Sequence, residues 1–146
     1  MYDHILIPTD GSKGAQKAIE HGVDLAAAFD ATIHALYVIE LPNAPRSLQI
    51  MDDEEETRRE YQNYGEEVTG DVAELAAERG VECVTAIKSG SAHEEIVDYA
   101  DEEGIDVIVM GTGYRGKFRA LLGSTAEKVV RTANVPVTTL RRRDVD

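Results

Sequence analysis

The stretch "GTGYRGKFRALLGS", residues 111–124, joins the apolar run "DVIVM" to the helically spaced "TAEKVVRTA" and carries residue types that suit phosphate binding. Gly111 and Gly113 let backbone amides approach an anion with no Cβ in the way, and glycine also tolerates positive φ. Gly123 and Ser124 stand at the predicted start of a helix, where free amides and the helix dipole favour negative charge. Between them Arg115, Lys117 and Arg119 put three positive charges within five residues of an otherwise acidic chain. That local reversal of sign is the best pointer to an anionic ligand. The competing reading is a glycine-rich surface loop with solvated cations, and the residues alone leave both open. No Gly-Lys-Ser or Gly-Lys-Thr closes a Walker A loop, and no dinucleotide fingerprint follows the first apolar run.

The elements that must position this loop alternate regularly. "DHILIP", residues 3–8, is a short apolar run stopped by proline and followed by the turn and cap cluster "TDGS". Residues 12–31 place Ala15, Ala18, Ile19, Val23, Ala26 and Phe29 mostly at three- and four-residue spacings, the mark of an amphipathic helix. Residues 32–40 form a second strand. Through 41–60 the pattern loosens into a loop feeding a helix, with two prolines and the acidic run 52–56, read as a solvated helix start or loop and not as a metal site. A helix resumes over 61–80, followed by strand 81–90, helix 91–104, strand 105–111, helix 124–133 and strand 135–140. Strands alternating with helices predict an α/β fold, a parallel sheet covered on both faces. The length of 146 residues suits one domain over 1–146. In such a sheet ligands bind beyond the carboxyl ends of the strands, where the strand order reverses. If the first and fourth strands are neighbours, "TDGS" and "GTGYRG" line one crevice.

Composition narrows the function classes. With 28 acidic against 15 basic residues the net charge is −13, and five of the basic residues are lysine. Most of such a surface repels nucleic acid and anionic membranes. Low lysine beside abundant Asp and Glu points to a salt-rich, halophilic cytoplasm. No stretch approaches the roughly 18 consecutive apolar residues of a membrane span, and "MYDHILIP" lacks the features of a signal peptide; the expected location is cytoplasmic. The single cysteine, Cys83, reads as a packed thiol. His4 and His34 fall in strands and read as packed or hydrogen-bonded, His21 and His93 fall on helices, and no spacing suggests a metal site.

Taken together, "ILIPTDGS", "ALYVIE", "VIVMGTG", "LLGSTAEKVVR" and "VPVTTL" run in an order that resembles the universal stress protein family over nearly the whole chain. The resemblance implies a three-layer, Rossmann-like fold of the adenine nucleotide alpha hydrolase-like type, an open parallel five-stranded sheet in the order 3-2-1-4-5. It also implies a homodimer through the last strand, 135–140. In the ATP-binding branch of the family the phosphate loop reads Gly, two residues, Gly, nine residues, then Gly followed by Ser or Thr. Gly113, nine residues and Gly123-Ser124 match its second half, whereas Gly111 and Gly113 are separated by Thr112 alone, leaving the loop one residue short.

Carried over residue by residue, the resemblance implies that Pro8, Thr9 and Asp10 line an adenosine pocket and that Val38 packs against adenine. Met110 and Gly111 would border the ribose, and Gly113, Gly123, Ser124 and Thr125 would hold phosphates, with Arg115 a further candidate. Asp10 could instead cap the first helix; Val38 and Met110 could be core. The implied ligand is ATP, ADP or AMP, and a divalent ion, Mg²⁺ or Mn²⁺, would arrive with the phosphates. With no general base or nucleophile evident beside the loop, the expected function is a nucleotide-dependent stress module. A slow ATPase or phosphotransferase, and a dimeric interaction module without nucleotide, are the alternatives.

Overall fold

The computed structural model describes residues 1–40, 51–112 and 119–141, with side chains given throughout except at 51–54 and 119–123. Five strands, β1 (His4–Pro8), β2 (Thr32–Ile39), β3 (Cys83–Ser89), β4 (Val107–Gly111) and β5 (Val137–Leu140), alternate with four helices, α1 (Lys13–Phe29), α2 (Met51–Glu78), α3 (Ala92–Glu102) and α4 (Arg119–Thr132). The sheet is parallel throughout in the order β3-β2-β1-β4-β5, as the resemblance implies. β1 sits at its centre, and Ile5, Leu6 and Ile7 are fully buried because both faces are covered.

One face carries α1 and α2. Ala15, Ala18, Ile19, Gly22, Val23 and Ala26 repeat at three- and four-residue spacings, so one stripe of α1 meets Ile5, Ile7, Val107 and Val109. The helix stops at Asp30, which takes a left-handed conformation while its N–H reaches the Ala26 carbonyl. On the other face Ile96, Tyr99 and Ala100 of α3 and Ala126 and Val129 of α4 pack on Leu6, Leu36 and Ile108.

Two helix starts differ from the sequence expectation. α2 begins at Met51, ten residues ahead of Tyr61 where regular helical spacing resumes, so of the two readings of the acidic run 52–56 the helix start is the one that holds. Carboxylates in a first turn are favoured by the unpaired amides and the positive end of the dipole, which the loose apolar pattern concealed. α4 begins at Arg119 and not at Ser124. The amides lacking an intrahelical acceptor therefore belong to the turn starting at Arg119, whereas those of Gly123 and Ser124 fall to carbonyls four residues back. At the last strand pairing starts at Val137, two residues later than expected, while the Pro136 carbonyl accepts from Ile108 N–H at 3.0 Å.

Candidate functional site

Because β1 is flanked by β2 on one side and β4 on the other, chain connections leave in opposite directions beyond their carboxyl ends. A crevice opens there with a cavity of about 190 Å³. Its apolar side is built by Leu36 and Val38 from β2, Ile96 from α3 and Met110 from β4; its opposite side by Thr9, Asp10, Ser12, Gly14 and Ala15, where β1 turns into α1. Glycine and alanine at the start of α1 keep the helix backbone close to the space.

The turn is fixed by its own side chains. Thr9 Oγ1 accepts from Gly11 N–H at 3.2 Å, and Asp10 Oδ1 accepts from Ser12 N–H at 2.9 Å. Asp10 thus bends the chain two residues on, in the manner of an Asx turn, and does not cap α1. The cap position belongs to Ser12, whose hydroxyl makes no capping bond. Among the described residues Ser12 Oγ is the buried side-chain oxygen without a partner, and it lies on the crevice. Glu40 adds a second carboxylate: its Oε2 accepts from Ala92 N–H at 2.7 Å and so satisfies the first turn of α3. The described lining therefore contains two carboxylates and no lysine or arginine.

Gly111 plays a different part from the one its sequence context suggests. It borders the crevice, yet its φ is not positive. An ideal Cβ there would lie 2.3 Å from the Gly14 carbonyl oxygen and 3.4 Å from Ala15 Cα. Its bareness serves the close seating of α1 on the end of β4.

Of the residues singled out from sequence, the fold brings Pro8, Thr9, Asp10, Val38, Met110, Gly111 and Thr125 to this crevice. Ser124 is exposed on α4 and does not line it, and Gly123 lies inside the helix and not at its start. Gly113 and Arg115 lie outside the described residues, as does Lys117. Ser12 comes to the crevice with the "TDGS" cluster, although no individual role was read for it, and sequence reasoning missed Gly14, Ala15, Leu36, Glu40, Ala92 and Ile96. For Glu40 a signal existed, since it ends the motif "ALYVIE" already noted; Ala92 and Ile96 are delivered by α3, whose placement only the tertiary fold reveals.

His4 and His34 behave as packed groups, away from the crevice. His4 Nδ1 lies 3.1 Å from His34 Nε2, and His34 Nδ1 lies 2.7 Å from the Tyr99 hydroxyl. Burial, aided by His4, holds the His34 imidazole below its ordinary value, and burial pushes the Tyr99 phenol up to about 12. Cys83 is half-buried on the edge strand, and burial likewise raises its thiol.

Comparison with known proteins places this geometry in context. The model of the universal stress protein family matches residues 1–141. Universal stress protein MJ0531 of Methanocaldococcus jannaschii is 36% identical, over 97% of this chain and 84% of that protein. The solved structure of MJ0577 from the same organism superposes with a TM-score of 0.78 at 30% identity, covering 99% of both chains. A universal stress protein family protein from Arabidopsis thaliana, solved with AMP bound, shares the fold at 21% identity, with a TM-score of 0.73 over 98% of this chain and 94% of that one. With its sheet order, its crevice and a family match over nearly its whole length, the chain belongs to the universal stress protein family.

Proposed function

We propose that the crevice binds an adenine nucleotide, ATP or its products ADP and AMP, and that the chain is a nucleotide-dependent stress module of the ATP-binding branch. The observation that carries this reading is the pairing, at one topological switch point, of an apolar slot with a hydroxyl-bearing turn in which Ser12 Oγ lacks a partner. Val38, Leu36, Ile96 and Met110 suit a flat apolar base, while Thr9, Asp10 and Ser12 suit a ribose. Thr125, which also lines the crevice, would face the phosphates. The AMP held by the Arabidopsis protein is that protein's own ligand, and it is the class of ligand this crevice suits.

Phosphate charge needs compensation that Asp10 and Glu40 cannot give. The sequence supplies it at Arg115, Lys117 and Arg119, next to Gly113 and the start of α4. A divalent ion, Mg²⁺ or Mn²⁺, would be carried by the phosphates. Among the described residues no group of three His, Cys, Asp or Glu side chains forms a cage for it. Each crevice carboxylate is tied through one oxygen to a backbone amide, an arrangement suited to shaping a binding site more than to activating water. The reading extends to a cytoplasmic homodimer through 135–140. Among the described strands β5 leaves one edge unpaired, and Val130 is 56% exposed on the adjoining α4. Deletion of 135–140 is expected to abolish the dimer in light scattering; a soluble dimer after deletion would move the interface elsewhere.

The test of the ligand is to denature protein purified without added nucleotide, identify what is released by anion exchange with mass detection, and titrate the stripped protein with ATP and Mg²⁺ by calorimetry. One adenine-nucleotide site per chain is the expected result. The absence of both a released nucleotide and a binding isotherm would overturn the assignment. Val38→Asp would put a third carboxylate against the base and is expected to weaken binding at least 100-fold, on the order of the cost of desolvating an unpaired charge. Unchanged affinity would remove Val38 from the site.

A further inference from the structure

We infer that Tyr64, on α2, is a positioning residue for the crevice: it holds the 9–12 turn from outside and makes α2 responsive to what the crevice contains. The inference deepens the nucleotide reading above and rests on it. Tyr64 donates its O–H to the Asp10 carbonyl at 2.8 Å, across 54 residues of sequence. That carbonyl belongs to the same peptide group as Gly11 N–H, which in turn donates to Thr9 Oγ1 at 3.2 Å. One chain of hydrogen bonds therefore runs from α2 through a peptide plane to a buried threonine that lines the crevice. Bonds linked in this way polarise one another. Thr9 Oγ1 accepts in that chain, so its own proton is left to donate to a ligand.

The placement of the phenol is tightly constrained. Gly11 has φ +78°, and an ideal Cβ there would lie 2.2 Å from the Tyr64 hydroxyl oxygen and 2.7 Å from Val68 Cγ1, so α2 lies directly against the turn. The Tyr64 ring meets Tyr37 edge-on, with centroids 5.5 Å apart and planes at 72°. Tyr37 is buried in β2, and the next residue of α2, Gly65, would put a Cβ 2.6 Å from its ring. A shift of α2 along the sheet must then move the Tyr64 hydroxyl, and with it the Asp10–Gly11 peptide. Yet Tyr64 is itself 41% exposed. Its hydroxyl bonds a surface turn and contributes little to the core, which separates a positioning role from a merely structural one.

The experiment uses Tyr64→Phe, which keeps the ring, with Tyr61→Phe in the same helix as control and ADP as the probe. Calorimetry should find ADP bound about five- to tenfold more weakly by Tyr64→Phe, the order expected for one net hydrogen bond, with Tm within about 2 °C of the parent. Tyr61→Phe should match the parent. In ¹H–¹⁵N spectra of ligand-free protein the Gly11 amide should move in Tyr64→Phe and stay in Tyr61→Phe. Parental ADP affinity in Tyr64→Phe, or an unmoved Gly11 amide, overturns the inference. If the parent itself binds no adenine nucleotide, the crevice reading fails, and the Gly11 amide still decides whether Tyr64 holds the turn.

Discussion

Gly111→Ala should destabilise the protein by about 2–3 kcal/mol, in the range of an overpacked core, and lower Tm by roughly 5–12 °C for a chain of this size. The added methyl would meet backbone, not a side chain able to rotate away: the Gly14 carbonyl oxygen at 2.3 Å, its carbon at 3.1 Å and Ala15 Cα at 3.4 Å. Relief requires the first turn of α1 to lift from the end of β4. That turn carries Ser12, Gly14 and Ala15 of the crevice, so nucleotide affinity should fall together with stability. Gly70→Ala, in the middle of α2, provides the opposite case. No atom lies within 4 Å of its ideal Cβ, and the substitution should stabilise by up to about 1 kcal/mol through helix propensity. Thermal unfolding of the two variants beside the parent checks both. A Gly111→Ala protein melting within 1 °C of the parent would mean that α1 is not seated as described.

Gly111 also marks where sequence reading stops. As the first glycine of a glycine-rich loop after an apolar strand, it read as a residue that lets a ligand approach. The contact that constrains it is with a helix 97 residues earlier in the chain, and no local pattern announces such a contact. The alternation of elements was legible because buried strands such as "HILIP" and the α1 stripe each have a strong period. The sheet order was legible through the family resemblance and not through periodicity. Helix starts were the weak point. α2 opens with a polar, acidic turn and α4 opens inside what read as loop, so neither start carries the apolar spacing on which the reading depended. Residues next to a motif, Thr9, Asp10 and Met110, are among those the fold brings to the crevice. Those delivered by packing of α3, such as Ile96, carry no local signal.

The second large effect concerns the buried polar chain under α3. Tyr99→Phe should cost about 1–3 kcal/mol, because it leaves His34 Nδ1 buried with no partner where a hydroxyl stood at 2.7 Å. Either neutral tautomer of His34 satisfies both of its contacts, donating to one neighbour and accepting from the other. Charge is what burial opposes, so the native imidazole takes up its proton below the ordinary value of 6.5. The sign follows: above pH 6.5 neither state binds the proton and the stability is whole. As pH falls through 6.5 the unfolded chain binds a proton that native His34 refuses, and stability declines until the native value is reached, with a limiting slope of about 1.4 kcal/mol per pH unit for one proton. Tyr99 acts at the other end. Its phenol is held neutral to about 12 against an ordinary 10.0, so unfolding releases a proton above pH 10 and stability declines again there. His34→Leu should therefore be less stable than the parent at pH 7, with two polar partners left unpaired, while its stability changes less steeply between pH 7 and pH 5. Denaturant unfolding of the parent, Tyr99→Phe and His34→Leu across that range, with the His34 ring followed by NMR, tests each step. A His34 midpoint at or above 6.5, or equal slopes in parent and His34→Leu, would show that this chain does not set the acid limit of the fold.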